Sequence, residues 1–270
     1  MKTRVIAAVA LLPLLLLIVL AAPKVFTAIL FAAMAAIGAY ELVSGTGLVK
    51  SKRLIAYSII MAFVVSLCSY FRWEAFWVQL AVLLFWILMF AEMMLARLNL
   101  QFEKVVVCFV AGILMPYFLT SLVRIQVNEN VRYFILIPFV LAFLSDTGAY
   151  FAGRAFGKHK LAPLISPKKT VEGVVGGVLG AVLGMLLYCL ILQYCFDFEV
   201  SYLNALLYGM LGSIGAVFGD LCFSVIKRQT GIKDYGNLIP GHGGILDRFD
   251  SMIVVAPLVE VLLILLPLAV

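Results

Sequence analysis

The chain has 270 residues, of which 65% are hydrophobic and only 13% charged, and its mean hydropathy is +1.15. These values lie outside the range of soluble globular domains and indicate an integral membrane protein. The net charge of +6 requires no nucleic acid as partner, because the cations gather on one side of the apolar segments.

Apolar runs long enough to cross a bilayer, roughly 17 to 25 residues each, occur at 5–22, 25–43, 54–71, 75–96, 104–123, 133–153, 173–196, 203–226 and 251–269. The expected fold is all-α, a polytopic membrane protein with about nine transmembrane helices. Residues 1–130 supply about five of them and residues 131–270 about four, with two polar loops. The connections are short, so one integral membrane domain is expected. Lys2 and Arg4, ahead of an apolar core ending at Ala21 and Ala22, also fit a cleaved leader; a second apolar run directly after Pro23 favours a retained helical hairpin.

Alternating nine crossings places sixteen of the twenty Lys and Arg residues on one side and four on the other. By the excess of positive charge on the inner side, the N-terminus and both polar loops are cytoplasmic and the C-terminus is outside. Anionic lipid headgroups account for Lys50, Lys52, Arg53, Arg97 and Lys104. Cys68, Cys108, Cys189, Cys195 and Cys222 fall in or beside apolar runs without metal-ligand spacing and read as packing residues. With only His159 and His242, a zinc site built on imidazoles is not expected, and the oxygen donors of the chain suit a hard ion such as Mg²⁺. Glu41 and Glu92, near cytoplasmic ends, are expected to snorkel, and Glu260 lies too deep to join a cluster.

Asp146 lies about 20 Å into the sixth run and Asp220 about 26 Å into the eighth, both toward the cytoplasmic side. Asp247 and Asp250 sit at the cytoplasmic entrance to the ninth, where an i, i+3 spacing would put them on one helical face. A carboxylate in the membrane costs several kcal/mol unless it is paired or bound to metal. A shared ion explains their convergence; ion pairs with Lys227, Arg228 and Arg248 are the alternative. Asp220, Ser224, Lys227 and Arg228 form a polar stripe on the eighth helix.

The segment Ser166-Pro167-Lys168-Lys169-Thr170, followed by Glu172, is expected to open the seventh helix, where free N–H groups favour an anion. Lys168 and Lys169 there either neutralise a phosphate or anchor the loop at the membrane. In Pro240-Gly241-His242-Gly243-Gly244 the glycines let backbone approach a phosphate closely, or simply make a turn. Asp234 beside Lys233 belongs to that loop or is a solvated turn residue. Gly173, Gly176, Gly177, Gly180 and Gly184, then Gly212, Gly215, Ala216 and Gly219, recur at four-residue intervals, which signals close helix packing within the chain or across a homodimer.

In order, Ser224, Lys227-Arg228, Lys233-Asp234, Pro240-Gly241-His242-Gly243-Gly244, Asp247-Arg248 and Asp250 resemble the signature of the phosphatidate cytidylyltransferases, or CDP-diacylglycerol synthases, of bacterial type. The block containing Asp146, Ala149-Tyr150, Gly153-Arg154, Phe156-Gly157-Lys158 and Ser166 to Thr170 is similar to that family as well. The resemblance covers roughly the second half of the chain. It implies CMP transfer from CTP to phosphatidic acid, giving CDP-diacylglycerol and pyrophosphate, at the cytoplasmic face of a bacterial inner membrane. It also implies Mg²⁺, with a second cation such as K⁺. Asp220 and Asp247 are then the leading metal ligands, with Asp250 and Asp146 as further ones. Asp220, Asp247, Lys227, Arg228, Lys233 and Arg248 become the expected catalytic groups. Lys168, Lys169, Ser166, Arg154, Ser224, Asp234, Gly241, His242, Gly243 and Gly244 are expected to bind substrate. Two other readings stand beside this one: a CTP-dependent lipid alcohol kinase of the dolichol or phytol type, and a cation transporter with intramembrane carboxylates.

Overall fold

A computed structural model of the chain describes residues 13–71, 75–96, 99–128, 132–239, 241 and 243–268. Seven helices among them are long and apolar enough to cross a membrane: Lys24–Gly45, Lys52–Phe71, Phe76–Leu95, Phe102–Val127, Arg132–Phe156, Val171–Phe196 and Tyr202–Thr230. These correspond to seven of the nine apolar runs, and the chain is read as a multi-pass membrane protein. The first run lies partly outside the described residues. The last forms a helix of only 14 residues, Met252–Leu265, with Pro257 inside it, shorter than the roughly 20 residues a full crossing needs.

The helices are α1 (Lys24–Tyr40), α2 (Lys52–Phe71), α3 (Ala75–Leu95), α4 (Phe102–Phe109), α5 (Met115–Leu119), α6 (Ser121–Asn128), α7 (Ile137–Phe156), α8 (Val171–Phe196), α9 (Tyr202–Thr230), α10 (Leu246–Phe249) and α11 (Met252–Leu265). A two-stranded antiparallel hairpin, β1 (Lys160–Ala162) and β2 (Ser166–Thr170), joins α7 to α8. The chain divides into two compact units, Met1–Arg132 with Gln229–Phe249, and Tyr133–Arg228 with Asp250–Val270.

In the first unit α1 packs on α2, and α2 packs on α5 and on a π-helical turn at Val110–Leu114. A second π-helical turn, Glu41–Gly45, extends α1. Several polar side chains among these helices are paired. Ser69 and Thr120 share a hydroxyl contact at 3.0 Å, and Arg124 donates to Ser69 Oγ, Ser121 Oγ and the Tyr117 carbonyl while stacking over the Tyr117 ring at 4.1 Å. Pairing of this kind offsets the cost of polar atoms in a low-dielectric interior.

In the second unit the glycine tracks are used within the chain. A Cβ at Gly148 would overlap the Gly176 carbonyl, one at Gly173 would lie 3.0 Å from the Ala149 carbonyl, and one at Gly177 would lie 3.0 Å from the Ser145 carbonyl. The backbones of α7 and α8 thus approach more closely than any larger residue permits. Gly209 faces Val182 of α8, and Gly215 faces Leu258 of α11. A hydroxyl pair, Ser145 with Ser213 at 2.7 Å, links α7 to α9.

Residues 166–170 form strand β2, which corrects the expectation that they open a helix. Pro167 biases Ser166 toward extended backbone. Thr170 is itself extended (φ −125°, ψ 155°), and its hydroxyl oxygen accepts the Gly173 N–H as N-cap. The helix therefore begins at Val171, after both lysines rather than around them.

Candidate active site

Asp146 and Asp220 each lie ten residues before the end of their helices, α7 and α9, or about 15 Å along the axis. Asp220 is the best defined. Its Oδ2 lies 2.6 Å from Lys169 Nζ, and its Oδ1 accepts the Ser224 hydroxyl at 3.1 Å, one turn along α9. The stripe expected from the sequence is thus real at Asp220 and Ser224. Arg228, exposed at the end of α9, donates through Nε to the Ile165 carbonyl at 3.0 Å and so ties the β1–β2 hairpin to that helix. Ser166 is half-buried and Lys168 exposed on β2. Arg154 donates to the Tyr150 hydroxyl at 3.2 Å.

Asp250 belongs to the same unit, in the turn before α11, where α9 comes close: a Cβ on Gly219 would lie 2.9 Å from the Asp250 carbonyl. Burial pushes the Asp250 carboxyl up to about 7, and the negative charges of Asp220 and Asp146 push the same way; the Ser251 N–H and Lys227 pull it down. Asp250 thus feels the charges of Asp220, Asp146 and Lys227, and Lys169 contacts Asp220. Among the described residues no group of three or more His, Cys, Asp and Glu side chains is arranged to hold a metal. Mg²⁺ commonly uses one or two carboxylates, with waters and substrate phosphates completing the octahedron. Asp220 and Asp250 are hard oxygen donors of that kind, so the chemistry of the set fits.

Asp247 lies in the other unit. It is 7% exposed, and its Oδ2 accepts two backbone N–H groups, Tyr235 at 2.8 Å and Gly244 at 3.0 Å. Helix α10 ends at Phe249, and Asp250 lies in the turn that follows. Lys233, Asp234 and Arg248 are exposed around this loop. Gly241 and Gly243 have φ of 76° and 89°, which glycine alone adopts without strain, and Ile239 pairs with Gly243 as an isolated bridge. The Gly244 amide, one of those expected to cradle phosphate, is taken by a carboxylate. Pro240 and His242 lie outside the described residues.

Glu41 was expected to snorkel to the headgroups, yet it is 3% exposed and accepts the N–H groups of Ile245 and Leu246 at 3.0 and 2.8 Å. The sequence signal available for it was only an acid at the end of an apolar run. Glu92 meets Arg53 at 3.5 Å and the Tyr57 hydroxyl at 3.4 Å. Glu172 receives the His159 ring at 2.6 Å and the Lys158 N–H at 3.1 Å, which braces the hairpin. Cys68, Cys108 and Cys189 are buried as expected; Cys195 is exposed.

The sequence matches the cytidylyltransferase family over residues 2–266. The chain belongs to that family. Among similar proteins, the phosphatidate cytidylyltransferase of Staphylococcus saprophyticus is 44% identical over 137 residues, which cover 51% of this chain and 51% of that protein. Phosphatidate cytidylyltransferases of Staphylococcus epidermidis (45% over 137 residues) and Staphylococcus aureus strain COL (43% over 142) have the same coverage. The chain spans about half the length of the curated relatives it matches.

Proposed function

We propose that the protein transfers CMP from CTP to phosphatidic acid, giving CDP-diacylglycerol and pyrophosphate. The observation that carries the proposal is the Lys169–Asp220–Ser224 constellation, with Asp250 close to α9, in a multi-pass membrane chain of the cytidylyltransferase family. The names of its relatives and the motif resemblance support the choice of phosphatidate as acceptor.

In this reading an oxygen of the phosphatidate phosphate attacks the α-phosphorus of CTP, the bond to the β-phosphate breaks, and pyrophosphate leaves. The attacking phosphate is already ionised, so no general base is required. The work is alignment and charge neutralisation. Asp220 and Asp250 would hold Mg²⁺, which when bound would offset charge on the nucleotide phosphates; a second cation such as K⁺ belongs to the same proposal. Lys169 fixes the orientation of Asp220, and Ser224 holds its other oxygen. Lys168, Lys227 and Arg228, in the same unit as Asp220, supply positive charge to the substrates; Lys233 and Arg248 enter the proposal on the motif resemblance alone. Asp247 enters as the residue that holds the loop backbone. The excess of cations on one side supports a bacterial inner-membrane protein with its N-terminus and these residues cytoplasmic and its C-terminus outside.

The test is incubation of purified protein with Mg²⁺, phosphatidate and CTP labelled at the α-phosphate. Label entering the lipid phase, with release of pyrophosphate, is the expected result. Lipid labelled from the γ-phosphate, with CDP released, would make it a lipid kinase instead.

A further inference from the structure

We propose that Glu41 is a positioning residue for the loop that carries Lys233 and Arg248. The inference rests on the cytidylyl-transfer reading for its functional consequence, but its geometry stands within one unit. Glu41 lies on the π-helical turn that extends α1, about two hundred residues away in sequence from the amides it holds. One carboxylate oxygen accepts Ile245 N–H at 3.0 Å and the other accepts Leu246 N–H at 2.8 Å. From the other side Asp247 Oδ2 accepts Tyr235 N–H and Gly244 N–H. Two buried acids therefore grip four amides of one loop.

The packing around Glu41 leaves no slack. A Cβ on Gly236 or on Gly244 would overlap Glu41 Oε1, and one on Gly45 would overlap the Tyr235 carbonyl. Glycine at these places is the condition for the carboxylate to reach the backbone. An ionised carboxylate is acceptor-only and can serve both diverging amides. Glutamine offers one oxygen and turns an NH₂ toward the other amide, which leaves a buried donor unsatisfied. Aspartate keeps the acceptors but is one methylene short. A π-helical turn adds a residue to the helix and often marks functional positions; here it carries the carboxylate that sets the loop. Arg248 follows Leu246 by two positions, and Lys233 precedes Tyr235 by two. Glu41 thus holds the backbone just before Arg248, and Asp247 holds the Tyr235 amide just after Lys233.

The experiment compares Glu41→Gln, Glu41→Asp and, as a variant that keeps the carboxylate, Gly244→Ala, each in the full-length protein. Two readouts are taken: kcat and KM for CTP in the lipid-labelling assay, and the rate of tryptic cleavage after Arg248 in detergent. Expected for Glu41→Gln is a kcat lower by about tenfold to a hundredfold, as for a small misplacement of catalytic groups. KM should change little, and cleavage after Arg248 should be faster than in wild type. Glu41→Asp should recover part of both losses, and Gly244→Ala should behave like Glu41→Gln. Wild-type kcat with wild-type cleavage in Glu41→Gln would overturn the proposal, and so would a loss of kcat accompanied by equal acceleration at every tryptic site. If wild type transfers no label but Glu41→Gln is cleaved faster after Arg248, the cytidylyl-transfer reading falls while the hold of Glu41 on the loop stands.

Discussion

Lys169 Nζ lies 2.6 Å from Asp220 Oδ2, so a residue of strand β2 and a residue in the C-terminal half of α9 form one charge-assisted contact. Both side chains are mostly covered, at 21% and 31% exposure. Asp220 has its other oxygen on Ser224, which leaves the carboxylate oriented before any substrate arrives. A pre-oriented acid costs less to align during reaction.

Replacing Lys169 by Met removes that orientation and the compensating charge. Stability should fall by only about 1 kcal/mol, as for an ion pair with partial access to water, whereas lipid labelling should fall by about a hundredfold. Lys169→Arg, which keeps the charge on a differently shaped head, should retain more activity than Lys169→Met. Thermal unfolding in detergent and initial rates distinguish the two effects.

Asp220→Asn should abolish transfer while the protein still extracts and elutes as wild type does. Chelation of divalent ions in wild type should give the same loss, reversed by added Mg²⁺. Persistence of more than a few per cent of the rate in Asp220→Asn would remove it from the principal ligands.

Ser224→Ala deletes one hydrogen bond to Asp220 and nothing else of size. A net worth of about 1 kcal/mol corresponds to roughly a fivefold loss in rate if expressed wholly in the transition state. A larger loss, near that of Asp220→Asn, would show that the hydroxyl contacts substrate itself.

Gly148→Ala should destabilise by about 1–3 kcal/mol, the usual cost of overpacking, because its Cβ would overlap the Gly176 carbonyl. The unfolding midpoint should drop, and KM for CTP among the molecules that remain folded should hold. Ala at Gly47, which has no neighbour within 4 Å but has φ of 71°, isolates backbone strain from packing and should cost less.

Asp247→Ala strips the acceptor from two amides, Tyr235 and Gly244. Each buried amide left without a partner costs about 1–3 kcal/mol, so the loop 229–249 should exchange its amide hydrogens faster while the spanning helices keep theirs. Mass-spectrometric hydrogen exchange reads this directly.

Seven of the spanning helices could be read from hydropathy because each must satisfy its own backbone hydrogen bonds in lipid, a constraint written locally. The close packing of Gly148 on Gly176 was legible as a four-residue repeat for the same reason: it is a property of one helix face. Strand β2 was not legible, since Ser166 to Thr170 suits either a helix start or an extended segment, and the pairing of Lys160 with Thr170 and Ala162 with Ser166 decides between them. Nor was the end of α10 at Phe249, because an i, i+3 spacing carries no signal of where a helix stops.

Composition and motif order alone established a membrane protein with its acids, cations and glycines concentrated in two polar segments, since hydropathy and residue chemistry are carried by each side chain wherever it ends up. Which acid does what was decided by the tertiary structure. Lys169 chose Asp220, Glu41 turned away from the membrane surface toward Ile245 and Leu246, and Asp247 took Tyr235 and Gly244. A buried carboxylate is stable only with donors around it, and those donors came from residues far off in the chain that only folding brings within 3 Å.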